Sequence, residues 1–351
     1  MRVLERIIYP VNPFMACFVA AATRARKLSL PALAVTFACA AFIVAACALT
    51  SWKSTLGRNH PLTGRIWDVS AAGFIDRQSL IAFSASADFL LLGEKHDNPD
   101  HHRLQAHVLR GLIAVGRRPA VGFEMFDTDD TAAIANHLAV APNDAAGLGR
   151  VVNWNARGWP DWAMYQPIAE VALEAKLPIV ATNLPLAAVR EMRRHDPAAL
   201  EPPMGGKERA AQLPETVFTQ MAADIRASHC GHGSAEGVQA MVRVQRARDA
   251  RMAQSLIAAS GSNGAVLVAG AGHVRNDYGI PLILATTAAD KRTVSIAFME
   301  VDERKREAQD YAGAYPNQRL PFDYVWFTPR VDDEDPCETF KSRIERLQKA
   351  Q

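Results

Sequence analysis

The 351-residue chain has almost no surplus of charge, 39 Lys and Arg against 37 Asp and Glu. The missing basic excess argues against nucleic acid as its main partner. Cysteine is scarce, five in all, and no C-x-x-C or C-x-x-C-H motif occurs, which excludes a zinc ribbon and covalent c-type haem attachment. After Leu28 to Ala46, an apolar run of membrane-spanning quality, nothing approaches its length, so a polytopic membrane protein is excluded. The apolar share of 49% is that of a globular chain with a sizeable core, not of a disordered or coiled-coil one.

What is present begins with targeting chemistry. Arg24, Arg26 and Lys27 precede the apolar run, which ends in Val44-Ala45-Ala46-Cys47. A basic stretch, an apolar stretch and a small-residue boundary are the parts of a secretory signal. The tetrad resembles a bacterial lipobox, which makes Cys47 the expected lipidated residue and residues 1–47 the signal with its cleavage site. Removing the segment before Cys47 takes away five basic residues and one acidic one, so attraction to anionic lipid is not the expected anchor. Ala48 after the cysteine is compatible with sorting to the periplasmic face of an outer membrane. Cys230 and Cys337 remain in the exported body and could pair in an oxidising compartment, although sequence alone does not bring them together.

From about Gly64 the chain alternates short apolar runs with helical patterns. Strand-like runs are 87–92, 120–123, 177–181, 265–269, 294–298 and 324–327; Leu104, Val108 and Leu112, then Ile168, Val171, Ala172 and Ala175, recur at helical spacing. Runs apolar throughout, separated by amphipathic helices, predict an α/β fold over 64–330 with a mostly parallel sheet covered by helices on both faces. Residues 186–260 contain no strand-like run and read as a helical insertion broken at Pro202 to Gly206; residues 331–351 form a tail in which Phe340, Ile344 and Leu347 share a helical face.

Two segments repeat one form, an apolar run followed by Gly-x-x-His. They are Gly93-Glu94-Lys95-His96 and Gly270-Ala271-Gly272-His273. Ligands of open α/β sheets sit beyond the carboxyl ends of the strands, so both histidines are expected there, with Glu94 and with Glu124 from a third run. Two His and two Glu converging by topology make a first shell for zinc, iron or manganese, with His96, Glu124 and His273 as the metal set. A dinucleotide site fails, because Arg275 stands where the third glycine would be. Residues 153–167 hold three of the six tryptophans and could wall a flat ligand or plug the sheet edge. His229-Cys230-Gly231-His232 is a further donor pair or a polar turn.

Taken in order, Leu92 to Pro99, Gly122-Phe123-Glu124-Met125, Trp159 to Pro167, Asn183-Leu184-Pro185, Gln245 to Ala253, Gly270 to His273 and Asp323 to Trp326 resemble the ChaN-like haem-binding lipoproteins, in the superfamily that includes the Tiki and TraB proteins. The resemblance spans about residues 85 to 328. It implies a lipid-anchored extracytoplasmic protein that binds haem in iron uptake, dimerises with paired haems between subunits, and exchanges haem with a receptor or transporter. For Tiki-like relatives it implies metal-dependent proteolysis, matched here by His96, Glu124 and His273.

Three readings follow. A haem carrier needs an axial donor, for which Tyr165, Tyr278, His229 and His232 are candidates, and cations for the propionates, for which Arg157 and Arg275 are candidates. A hydrolase needs a divalent metal to acidify water and Glu94 or Glu124 as base. The carrier reading is preferred because the resemblance is closest there; a third, in which these His and Glu side chains form only a buried polar network, requires no ligand.

Overall fold

A computed structural model of the protein describes residues 51–194, 214–315, 318–335, 337, 338 and 341. The signal and lipobox, the Pro202 to Gly206 break and the Phe340, Ile344 and Leu347 face lie outside the described residues. The unit from Lys53 onward is built on an eight-stranded sheet.

In chain order the strands are β1 Ile66–Asp68, β2 Gly73–Ile75, β3 Phe89–Glu94, β4 Ala120–Asp127, β5 Ile179–Asn183, β6 Ala265–Gly270, β7 Thr293–Glu300 and β8 Tyr324–Thr328. Their spatial order is β2-β1-β8-β7-β3-β6-β4-β5. From β8 to β5 all pairings are parallel, and β1 and β2 add an antiparallel edge. The expected mostly parallel sheet is therefore present. The two edge strands went unpredicted because three residues are too short to show a period.

The helices are α1 Arg77–Ala85, α2 Pro99–Ala114, α3 Thr131–Val140, α4 Ala145–Val151, α5 Trp162–Glu174, α6 Leu186–Arg194, α7 Glu215–Ser228, α8 Ala235–Ser260 and α9 Ile280–Thr287. Their starts are written locally. Asn98 caps α2 by accepting from the Asp100 N–H, with Pro99 in the first turn; Asp161 caps α5 and Ser234 caps α8. Helix α8 packs on β4, β5 and β6 and against α9, which lies on β7, whereas α2 lies on β3 and α5 lies on α2.

Strand alternation divides the core between the faces. Phe89, Leu91, Leu267 and Ala269 pack with Met252 and Leu256 of α8 and Ile283 of α9. Leu90, Leu92 and then Glu94 point the other way, toward α2 and α5. The insertion is helical as expected wherever it is described, with α7 held on α8 by Met221, Val242 and Tyr278.

Candidate functional site

All the parallel strands end at one edge, and β3, β6 and β4 lie side by side there. Glu94 is the last residue of β3, in register with Gly270 at the end of β6. In β4 the register to β5 shifts between Phe123 and Asp127, an irregularity that encloses Glu124. Such shifts re-aim side chains at functional edges. His96 and His273 follow β3 and β6, so the residues expected to converge do meet here: a methyl group added at Gly270 would stand 3.0 Å from His96 Nε2 and 3.5 Å from Glu124 Oε2.

The loop carrying His96 is held on several sides. The Lys95 N–H donates to His101 Nδ1 at 2.9 Å, and His101 Nε2 lies 2.8 Å from Thr328 Oγ1. Burial pushes His101 down to about 3, so it stays neutral and can accept. Asn98 donates to Glu300 and to the Pro329 carbonyl.

Glu94 is fully buried and gathers three partners. Tyr165 donates to its Oε1 at 2.7 Å, His96 Nδ1 lies 2.9 Å from that oxygen, and His102 Nδ1 lies 2.9 Å from Oε2. The last is an ionic contact off the hydrogen-bond direction, since Oε2 makes no hydrogen bond of its own and His102 Nδ1 donates instead to Gln105 Oε1 at 3.1 Å. Gln105 is oriented by its amide donating to the Leu92 carbonyl. Because His102 Nε2 also faces an acceptor, the His96 carbonyl at 2.9 Å, both of its nitrogens carry protons and it is a cation. Burial disfavours that charge, but Glu94 outweighs it and raises His102. Burial likewise raises Glu94, yet His102 and His96 hold it well below the usual carboxylate range.

The consequence falls on His96. Its Nδ1 donates to Glu94 and its Nε2 stands beside Gly270 without a hydrogen bond of its own; burial disfavours a charge on the ring, but Glu94 and Glu124 raise its basicity, and the ring packs edge-on against half-exposed Trp159 with centroids 5.0 Å apart. An imidazole oriented by a carboxylate through one nitrogen, with the other open, is the arrangement of a metal-ligating histidine.

His273 is built differently. Its Nδ1 lies 2.5 Å from Asp249 Oδ1 in α8 and its Nε2 lies 3.1 Å from Glu124 Oε1, while Glu124 Oε2 accepts the Gly270 N–H at 2.7 Å. Gln245, one turn before Asp249, places its amide 3.0 Å from Nδ1. Burial opposes a charge on His273, but Glu124 and Asp249 push it up to about 10, and Glu124, raised by burial, is brought down by His273 to about 2. Both His273 nitrogens therefore donate. Both of its nitrogens are thus engaged by carboxylates, and among the described residues no three His, Cys, Asp or Glu side chains form a group that could hold a metal ion.

The other predicted donors are placed elsewhere or already engaged. Tyr165 is fully buried with Trp154 and Trp162, so most of the aromatic segment is a plug; it reaches the site through the Tyr165 hydroxyl on Glu94 and through Trp159 against His96. Burial and Glu94 push the Tyr165 hydroxyl far up, and Tyr278 is also raised by burial, with its hydroxyl on Asp224. Arg157 is paired with Asp130 through both terminal nitrogens, and Arg275 with Asp224 and Asp277. His229 Nδ1 lies 2.8 Å from the Ile225 carbonyl at the end of α7, and His232 is exposed in the turn before α8. His102, Gln105, Asp249 and Gln245, which set the charge and orientation of the two motif histidines, were missed from sequence.

Comparison with known proteins supports the fold and the family. The sequence model described as haem-binding uptake, Tiki superfamily, ChaN matches residues 80–284. A structure of cofacial haem binding to ChaN of Campylobacter jejuni aligns with a TM-score of 0.59 at 22% identity, covering 74% of this chain and 95% of that one. The type III effector HopBA1 aligns with a TM-score of 0.39 at 12% identity, covering 71% of this chain and 91% of that one. The erythromycin esterase EreC, as a mutant in its open conformation, reaches 0.39 at 14% identity, covering 78% of this chain and 82% of that one. No curated protein matches the chain by sequence.

Proposed function

The chain belongs to the ChaN family of haem-binding uptake proteins in the Tiki superfamily, and on that premise we propose that it is a lipid-anchored haem carrier serving iron uptake, with His96 as the side chain that receives the haem iron. The observation that carries the assignment is the open Nε2 of His96, the one ring nitrogen of the two motif histidines that no protein side chain engages, whereas both nitrogens of His273 face carboxylates. A haem supplies an iron that takes a nitrogen donor and a flat apolar plate. This chain supplies the donor at His96, a close approach at Gly270 where a side chain would intrude, and an indole face at Trp159.

The chain's own residues fix the donor. Glu94 keeps the His96 proton on Nδ1 and strengthens Nε2 as a base; His102 and Tyr165 hold Glu94 ionised and in place. The single-histidine arrangement supports a carrier over the metal-dependent hydrolase, whose second histidine donates on both sides. A plate bound through one face at an edge leaves its other face to be covered, which supports haem-promoted dimerisation and, by analogy with the Campylobacter protein, paired haems. Lipidation at Cys47 and a periplasmic location, facing a receptor or transporter there, complete the proposal; the Cys230–Cys337 disulfide suits an oxidising compartment.

The test is titration of haemin into the chain from Ala48 onward, with bound metals measured on the same sample and sedimentation with and without haemin. A Soret shift that His96→Ala abolishes and Tyr165→Phe and His229→Ala/His232→Ala retain is expected. No shift in the parent chain, with stoichiometric zinc, iron or manganese, would overturn the carrier and restore the hydrolase. Fatty-acid labelling lost in Cys47→Ser tests the anchor.

A further inference from the structure

The tail and the helical hairpin of α7 and α8 meet through one covalent bond. Cys230 lies in the turn between those helices, in left-handed backbone at φ 57°, and is bonded to Cys337, 107 residues later, with Cα atoms 5.3 Å apart. Few non-glycine residues adopt that conformation. Before reaching Cys337 the tail passes the loop that carries His96. Val331 donates its N–H to Glu300 Oε1, the oxygen that also accepts from Asn98, and Asp332 stands 3.6 Å from Lys95 Nζ.

The spans agree. From Asp332 to Cys337 the chain can reach about 17 Å. From Gln245, which touches His273, back to the start of α8 the helix rises about 15 Å, so the hairpin tip stands well beyond the sheet edge. The tail thus ties the His96 loop on one side to the tip of the hairpin that supplies Gln245 and Asp249 on the other. The Lys95–Asp332 pair is exposed and contributes little by itself. Both cysteines are half-buried, within reach of a reductant, while α7 stays on α8 through Met221, Val242 and Tyr278 whatever the state of the sulfurs.

We propose that the Cys230–Cys337 disulfide is a redox latch on this site, closed when oxidised and released by a dithiol. One thiolate of the dithiol attacks a protein sulfur and forms a mixed disulfide; its second thiol displaces that sulfur, so the dithiol leaves as a cyclic disulfide and both cysteines become thiols. Two electrons and two protons pass to the protein pair. The tail then parts from the hairpin tip, the edge above His96 opens, and bound ligand leaves faster. The nature of the ligand rests on the haem reading; the latch does not.

The experiment uses the full chain in detergent, with two readouts. Hydrogen exchange at the turn 229–234 and at Lys95 to Asp97 should rise on treatment with dithiothreitol in the parent and be raised without it in Cys337→Ser, with strands β3, β4 and β6 unchanged. Haemin transfer to excess apomyoglobin should be at least threefold faster under the same two conditions, and dithiothreitol should add nothing in Cys337→Ser. Unchanged exchange at both segments overturns the latch. Raised exchange with unchanged transfer overturns its control of the ligand, and raised exchange in a chain that binds no haemin sustains the latch while rejecting the haem reading.

Discussion

Glu94 at the end of β3 and Glu124 within β4 stand at the same edge with β6 between them, each close to a Gly-x-x-His histidine, yet they lie on opposite faces of the sheet and engage their histidines differently. On the α2 and α5 face, the charge of Glu94 is balanced by a third side chain, His102, so His96 need only donate from Nδ1 and keeps Nε2 open. On the α8 face His273 is itself the counter-charge that lies between the two carboxylates Glu124 and Asp249, while buried Arg246 acts on Asp249 alone. A repeated motif acquires its chemistry from whichever helix covers it, and here one copy is left able to bind while the other is made into a clamp.

The largest effect expected from breaking this contrast is at Glu94. Glu94→Gln leaves the His102 cation buried without its partner, and should cost about 3–5 kcal/mol in chemical denaturation. A cost under about 1 kcal/mol would mean that His102 is neutral and would erase the difference between the faces.

The second effect separates the faces by pH. The folded pKa of His273, near 10, lies above its ordinary 6.5, so the clamp stabilises fully below pH 6.5 and is lost as pH rises through about 10. Glu124, near 2 against an ordinary 4.5, contributes above pH 4.5 and is lost on acidification through about 2. Tm should fall by several degrees between pH 6.5 and 10, and Asp249→Asn should flatten that limb; an alkaline limb identical in the two chains would remove the clamp from the account.

The smallest effect on folding is the sharpest on function. Gly270 has no left-handed backbone requirement, so Gly270→Ala should cost within about 1 kcal/mol, while its methyl crowds His96 Nε2 at 3.0 Å. Haemin affinity should drop tenfold or more with Tm nearly unchanged. Equal affinity in the two chains would move the iron away from His96.

The division between what sequence revealed and what it hid follows the same geometry. Strands β3, β4 and β6 were legible because parallel strands buried on both faces are apolar throughout, and the polar residue that ends each run marks the edge. Glu94, His96, Glu124 and His273 stood at those ends and were found. His102 and Asp249 sit inside helices, where a polar residue is ordinarily solvated. The signal existed: Asp249 lies seven residues from both Val242 and Leu256, on the buried stripe of α8, and His101, His102 and Gln105 interrupt the buried face of α2. Spacing points to tyrosines and turn histidines as haem donors because tautomer and partner cannot be read from it. Arg157 and Arg275 looked available for propionates because Asp130, Asp224 and Asp277 are brought to them only by folding.

Trp159 carries one more consequence, an optical one. Of the described tryptophans, Trp67, Trp154, Trp162 and Trp326 are buried in packing while Trp52 and Trp159 are half-exposed, and Trp159 has its indole against the imidazole of His96. Indole emission overlaps porphyrin absorption, so a chromophore arriving at His96 would darken this fluorophore before the others, and the molecule carries a built-in gauge of its own filling at the one ring that stands beside the donor.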